Sequence, residues 1–349
     1  MASLAALFEG LFDPPAFPWL AASPGEGFAW LVTPEAEAWA AQRGIRLRGA
    51  PARVVAQVHD KAFAVEASQR LGLEPRALAG LLRSLDPTEL GDSRALEAAL
   101  ASWPGWAQQA FTLKPRVGTS GRGRVAGREG RVDDALCAAL PRLAARGGAV
   151  LQPWLVRTSD WSTQLYLGED GQILLLGTLE QIITPAGVVR GHRGCLDVRG
   201  RMRAGGPFDE ALPEAAVALV QEAAACGFHG PCGVDALCFR GPDGDEQLWP
   251  SVELNARFTS GIVMLAELRR ALPRIRQALD LAPGERVGFF CALAAPRGGW
   301  PARAAAGAGG GRESAGLFLP LGPEGLAESP GIFVCRDAET LDRVVAAAR

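Results

Sequence analysis

Along this chain of 349 residues the apolar positions switch between helical and alternating spacing, and glycine, proline and capping carboxylates mark most of the switches. A helix is predicted from Lys61: Asp60 can accept from the unpaired N–H groups of the first turn, Phe63, Ala67 and Leu71 form an apolar stripe, and Gly72 ends it in a left-handed turn. Further helices are predicted over 93–101, capped at Asp92-Ser93, over 133–145 with a kink or interruption at Pro141, between Pro213 and Gly227, and over 262–279 with a break at Pro273. The tail, 338–348, fits a last amphipathic helix. Strands are expected over 28–32, 110–113, 151–156, 163–167, 173–176, 232–239 and 247–254. Glu169-Asp170-Gly171 and Gly241-Pro242-Asp243-Gly244 fall between two pairs of these strands and read as hairpin turns. The mixture points to an α/β (α+β) architecture. Residues 302–316, rich in Ala and Gly, read as a surface loop.

Composition alters this picture little. With 48% apolar and 21% charged residues the chain can bury a core without cross-links. The formal net charge of -2, from 36 basic and 38 acidic residues, leaves no reason to expect a nucleic-acid partner. Apolar runs such as 287–296 fall far short of the roughly 20 residues that span a bilayer, so no membrane partner is expected. The start, 1–10, is apolar but carries Glu9 and no basic leader, and the expected compartment is the cytoplasm. Seven cysteines include no CxxC pair; Cys226, Cys232 and Cys238, with His229 nearby, have the wrong spacing for a zinc knuckle and read as reduced, mostly buried small hydrophobes.

Two stretches carry candidate chemistry. In the first, Phe111-Thr112-Leu113-Lys114 is strand-like and runs into a loop containing Gly118, Ser120, Gly121 and Gly123. Backbone N–H groups of such a loop can close on polyphosphate oxygens with a lysine beside them, although a Gly/Arg loop can equally be a mobile surface segment. Because the lysine precedes the glycines, the stretch is neither a Walker loop nor a Rossmann fingerprint. In the second, Glu253, Asn255 and Arg257 recur at period two and share a strand face, and Asp235 of Gly233-Val234-Asp235 can meet them across the hairpin. Oxygen donors of this kind suit Mg²⁺, which takes one or two carboxylates and keeps phosphate oxygens and waters. The alternative is a solvated hairpin face with a weak ion pair. Val252 and Leu254, apolar and on the other face, favour a strand covered on that side. Glu180-Gln181 and Arg190-Gly191-His192-Arg193 are lesser candidates for an anionic substrate. The three histidines offer no triad that spacing can identify.

Taken in order, Asp60-Lys61, Lys114, Gln152-Pro153-Trp154-Leu155, Gly233-Val234-Asp235 and Glu253-Leu254-Asn255-Ala256-Arg257 resemble the ATP-grasp superfamily over residues 55–270. The last of these looks like the corresponding element of biotin carboxylase and carbamoyl-phosphate synthetase, and the third like the adenine hinge of D-alanine:D-alanine ligase. The resemblance implies an ATP-grasp fold in which two α/β lobes clamp ATP: a shortened N-terminal region (1–58), a first lobe with the Gly-rich loop (59–150), a second lobe with the Mg²⁺ site (151–300), and a C-terminal loop and helix (301–349). It implies that Lys61 and Lys114 hold the ATP phosphates and that Gly118, Ser120, Gly121 and Gly123 fold over them. Gln152, Trp154 and Leu155 would present backbone groups to adenine, and Asp160 would meet the ribose. Asp235, Glu253 and Asn255 would bind Mg²⁺. Arg257, with Lys114 the other catalytic candidate, would neutralise charge on the phosphoryl group or acyl phosphate. The activity implied is an ADP-forming ligase that activates a small-molecule carboxylate for attack by an amine or thiol, assembled as a homodimer. A small-molecule kinase and a non-catalytic nucleotide-binding regulatory protein are the alternatives. Gln152 stands where the family usually has an acidic residue, and only 58 residues precede His59, where the family usually has a full Rossmann-like domain.

Overall fold

In a computed structural model describing residues 4–12, 17–118, 123–184, 188–197, 200, 202–205, 208–292, 316–321 and 330–348, the predicted capping carboxylates do open their helices. The N-terminal part holds α1 (Leu4–Gly10), α2 (Pro34–Ala41) and α3 (Ala52–Val58). No strand forms over 28–32; only Glu26–Gly27 pairs, in parallel, with Arg46–Leu47. Aromatic packing takes its place: the rings of Phe28 and Trp30 lie 5.9 and 6.5 Å from that of Phe258, in a cluster that also draws in Phe8, Phe12 and Trp19.

Helix α4 (Lys61–Arg70) starts where Asp60 accepts from the Ala62 N–H at 2.9 Å, and the chain leaves it through Gly72 at φ 68°. Next come β1 (Arg83–Leu85), α5 (Ser93–Ala101), α6 (Gly105–Gln108), β2 (Ala110–Pro115), β3 (Val125–Arg128), α7 (Asp134–Ala144) and β4 (Ala149–Pro153). The four strands form an antiparallel sheet of order β1-β4-β2-β3. On β2, Phe111 and Leu113 pack with Leu96 and Leu100 of α5 and Leu136 and Leu140 of α7. Alternation along the strand therefore turns Thr112 and Lys114 to the opposite face.

The rest of the chain builds a second sheet from β5 (Arg157–Leu167), β6 (Ile173–Ile183), β7 (Val189–Asp197), β8 (Gly230–Arg240), β9 (Glu246–Asn255), β10 (Arg286–Ala292), β11 (Leu317–Pro320) and β12 (Gly331–Cys335), with helices α8 (Ala211–Ala225), α9 (Ser260–Ala278) and α10 (Ala338–Ala348). Its order is β9-β8-β5-β6-β7-β10-β12-β11, and Met202–Arg203 adds a short strand beside β7. Gly171 and Gly244, at φ 80° and 81°, make the two hairpin turns the sequence predicts. β5 and β6 run well past their apolar cores, because residues such as Asp160, Ser162 and Gln181 belong to the strands and face a cleft rather than the core. α9 passes unbroken through Pro273, which lies on the exposed side while Met264, Leu268 and Ile275 are buried. There water can serve the carbonyl that the missing N–H leaves free.

Val65 of α4, Leu82, Val150 of β4, Leu155, and Leu237, Phe239 and Trp249 of the second sheet form one buried cluster between the two sheets. Full burial of such a side chain contributes roughly 1.5–3 kcal/mol, so the joint between the lobes is packed core. All seven cysteines are free, with Cys232, Cys238, Cys291 and Cys335 buried. Among the described residues no helix is long and apolar enough to cross a membrane.

Candidate active site

The end of β2 is fastened to the start of α4. Arg116, just beyond β2, donates from Nη2 and Nε to the Asp60 carboxylate at 2.7 and 2.9 Å, and its carbonyl accepts from the Lys61 N–H at 3.1 Å. This clasp brings Lys61 and Lys114, far apart in sequence, into a single cleft of about 440 Å³. Lys61 Nζ donates to the Gly118 carbonyl at 2.9 Å and lies 3.4 Å from Glu253 Oε2. Burial pushes the Lys114 ammonium down to about 8, against the pull of Glu253. A poorly hydrated cation of this kind gains more from an anionic ligand than one already in water.

Across the cleft, β8 and β9 pair so that Asp235 stands opposite Glu253 and Gly233 opposite Asn255, while β5 sets Ser162 on the other side of Asp235. Asn255 Nδ2 donates to Asp235 Oδ2 at 2.9 Å and to Glu253 Oε1 at 3.4 Å. Ser162 Oγ and Gln181 Nε2 donate to Asp235 Oδ1 at 2.7 and 3.0 Å. β9 ends at Asn255, so Arg257 does not continue the strand face as its spacing predicts. It returns from the loop, donating from Nη2 to Asn255 Oδ1 and from Nη1 to the Phe258 carbonyl, both at 2.9 Å, with its buried Nε unpartnered.

Burial, then the nearby charge of Glu253, raises the Asp235 carboxyl above the usual range. Burial acts the same way on Glu253, but Lys61 and Lys114 outweigh it and hold that group low. The two acids are thus a like-charged pair in a partly dry cleft, and a divalent cation between them would relieve both costs. Among the described residues no three His, Cys, Asp or Glu side chains cluster as metal ligands. Two carboxylates and an amide oxygen leave room for ligands from outside, which fits Mg²⁺ with phosphate oxygens and waters better than zinc. In this arrangement the Asn255 amide nitrogen faces the acids. Ligation through its oxygen needs a turn about χ2, which also releases Arg257.

Asp160 lines the cleft, with Oδ1 accepting from Arg157 Nη1 at 2.9 Å, and burial raises its carboxyl. Gly118 lines it too, whereas Gly123, at φ 79°, sits against Arg146, and Ser120 and Gly121 fall outside the described residues. The three hinge candidates are not among the lining residues. Gln152 is buried on β4 opposite Thr112, and Leu155 lies in the joint between the sheets. The Trp154 N–H is taken by the Ala110 carbonyl at 2.8 Å, and its ring carries the Arg124 guanidinium at 4.4 Å.

Several lining residues carry no signal in the sequence: Arg124, Arg157, Ser162 and Trp30. Of the lesser candidates, Gln181 and His192 line the cleft. Their neighbours Glu180 and Arg193 turn away and pair with each other, and Arg193 also reaches Asp342 at 2.7 Å, as strand alternation requires. His192 Nε2 lies 3.0 Å from Ser260 Oγ, its Nδ1 is buried without a partner, and burial lowers the imidazole to about 4. Lys61, Lys114, Arg124, Arg157 and Arg257 line the cleft against Asp160, Asp235 and Glu253, a cationic excess suited to a polyanion that brings its own cation.

The chain has the ATP-grasp fold. It matches the biotin carboxylase of Campylobacter jejuni, solved in a β,γ-ATP complex, at 13% identity and a TM-score of 0.51 over 96% of this chain and 74% of that one. The biotin carboxylase domain dimer of Hydrogenobacter thermophilus 2-oxoglutarate carboxylase, solved with MgADP, ADP and bicarbonate, matches at 14% identity and a TM-score of 0.52 over 99% and 76%. N5-carboxyaminoimidazole ribonucleotide synthetase from Thermus thermophilus matches at 15% identity and a TM-score of 0.51 over 98% and 83%. No family model matches the chain, and no curated protein matches it significantly.

Proposed function

We propose that this chain is an ADP-forming, ATP-dependent ligase of the cytoplasm that activates a carboxylate as an acyl phosphate for attack by an amine or thiol. The observation that supports it most is the meeting, in one cleft, of Lys61 and Lys114 from the first lobe with Asp235, Glu253 and Asn255 from the second. The nucleotides bound to the neighbouring structures, MgADP among them, support the same ligand here.

In this reading Mg-ATP supplies the phosphoryl group. Lys61 and Lys114 hold its phosphates, with Gly118 beside them. Asp235 and Glu253, with the Asn255 amide oxygen, hold Mg²⁺. Ala236, Leu237 and Val252, which line the cleft, give the base an apolar bed. Asp160 meets the ribose once it parts from Arg157. Arg257 orients the carboxylate and offsets the charge that develops on it, which preorganised donors do at little cost when they are already aimed.

ADP release from the purified protein, with Mg-ATP and a panel of carboxylate and amine pairs, tests the proposal. Lys114→Ala and Glu253→Gln should each lower turnover 100-fold or more. Full turnover in both variants would discard the reading, and a phosphorylated product formed without amine consumption would turn it to a small-molecule kinase. A homodimer belongs to the reading by analogy with the Hydrogenobacter domain, and light scattering checks it.

A further inference from the structure

The two ends of the cleft differ in chemistry. Lysines and arginines crowd the end nearest β2. At the Arg257 end the polar groups gather at one spot and the remaining wall is apolar. Ser260 and Gly261 open the 19-residue helix α9 there, and both line the cleft. Thr259 Oγ1 already caps α9 by accepting from Ile262 N at 3.2 Å. First-turn N–H groups have no carbonyl a turn earlier to bind, so those of Ser260 and Gly261 are suited to an anion. His192, whose Nε2 lies 3.0 Å from Ser260 Oγ, and Arg257 line the cleft with them, and each keeps one buried nitrogen without a partner, His192 Nδ1 and Arg257 Nε.

The apolar wall comes from two places. Trp30 arrives from the N-terminal region, where its carbonyl accepts from the Phe258 N–H at 3.0 Å and its ring lies 5.3 Å from Phe8 and 6.0 Å from the Arg257 guanidinium carbon. Ile183 and Val189 face each other at the start of the β6-β7 pairing, with Val188 beside them. Ile183, Val188 and Val189 offer no hydrogen bond along the wall, and Trp30 offers only its indole N–H. Trp30 thus contributes one side of the cleft from the N-terminal region, and contributes it as an indole.

We propose that this end takes an organic carboxylic acid with an apolar body. Its carboxylate sits on Arg257 and the opening N–H groups of α9, and its body lies against Trp30, Ile183 and Val189. The proposal rests on the ligase reading above and names its substrate class. Bicarbonate, polar on every side, would lose water against Ile183 and Val189 with nothing there to replace it. An alkyl or phenyl body loses only unfavourable hydration there.

The test uses the full chain, Mg-ATP, and hydroxylamine as the acceptor, with ADP release and hydroxamate both measured. The acids compared are acetate, hexanoate, phenylacetate and bicarbonate. The expected result is a kcat/KM at least tenfold higher for hexanoate or phenylacetate than for acetate or bicarbonate, carried by KM. Trp30→Ala should raise the KM for the preferred acid about tenfold without moving that for Mg-ATP, and Trp30→Phe should restore most of the loss. Val189→Thr, nearly isosteric, should weaken the same acids should Trp30→Ala fail to fold. Bicarbonate or acetate used as well as the apolar acids overturns the proposal while leaving the ligase reading intact. ADP release that no carboxylate stimulates overturns both.

Discussion

His192 shows at the residue scale how environment rather than identity sets chemistry. Its imidazole is held neutral because burial lowers it from 6.5 to about 4. The unfolded chain takes up this proton near 6.5 and the folded chain only near 4, so the contribution to stability is whole above 6.5 and is lost as pH falls toward 4. At about 1.4 kcal/mol per pH unit, the loss reaches about 3 kcal/mol. His192→Gln should therefore flatten the fall in Tm between those two pH values. Equal slopes in variant and wild type would rule it out. His59, also lowered to about 4 by burial and then by Arg257, accounts for slope that remains. Nothing in the residues flanking His192 announces this; the cause is the face of β7 on which it lies.

At the scale of elements, the junction of α4 with β2 holds one side of the site. Asp60 does two jobs, capping α4 and pairing with Arg116, and Lys61 is the first residue of the helix it caps. Asp60→Asn keeps a capping oxygen and loses the Arg116 ion pair, whereas Asp60→Ala loses both, should cost roughly 0.5–2 kcal/mol more from the cap, and loosens Lys61. Denaturant midpoints and nucleotide affinities of the two variants check this, and an alanine variant as stable as wild type would refute it. The cap was legible because it depends on a side chain and a backbone two residues apart. Local rules failed where packing overrode them: at Pro273, whose exposed position lets α9 continue, and at 28–32, where Trp30 and Phe28 are drawn to Phe258.

For the molecule as a whole, the proposed site takes phosphate ligands from α4 and the four-stranded sheet and metal ligands from the larger sheet, so Mg-ATP should stiffen both together. At a concentration 100 times Kd, binding adds about 2.7 kcal/mol to stability. Hydrogen exchange should then slow in β2 as well as in β8 and β9, with a smaller effect when EDTA removes Mg²⁺. Protection confined to one lobe would sink the clamp. The joint cluster of Val65, Leu155, Leu237 and Trp249 is where such coupling would pass, since a packed core transmits strain with little give.

What the amino-acid sequence determined by itself were features carried by neighbours in the chain: the caps at Asp60 and Asp92, the turns at Gly171 and Gly244, and the hairpin that sets Asp235 against Glu253. Each depends on backbone groups or side-chain periods only a few residues long. Tertiary structure alone decided that Ser162 and Gln181 brace Asp235, that Arg257 reaches Asn255 from a loop, and that Trp30 walls the cleft. These relations join strands and segments distant in sequence, and periodicity says which face a residue occupies but not which strand will lie beside it.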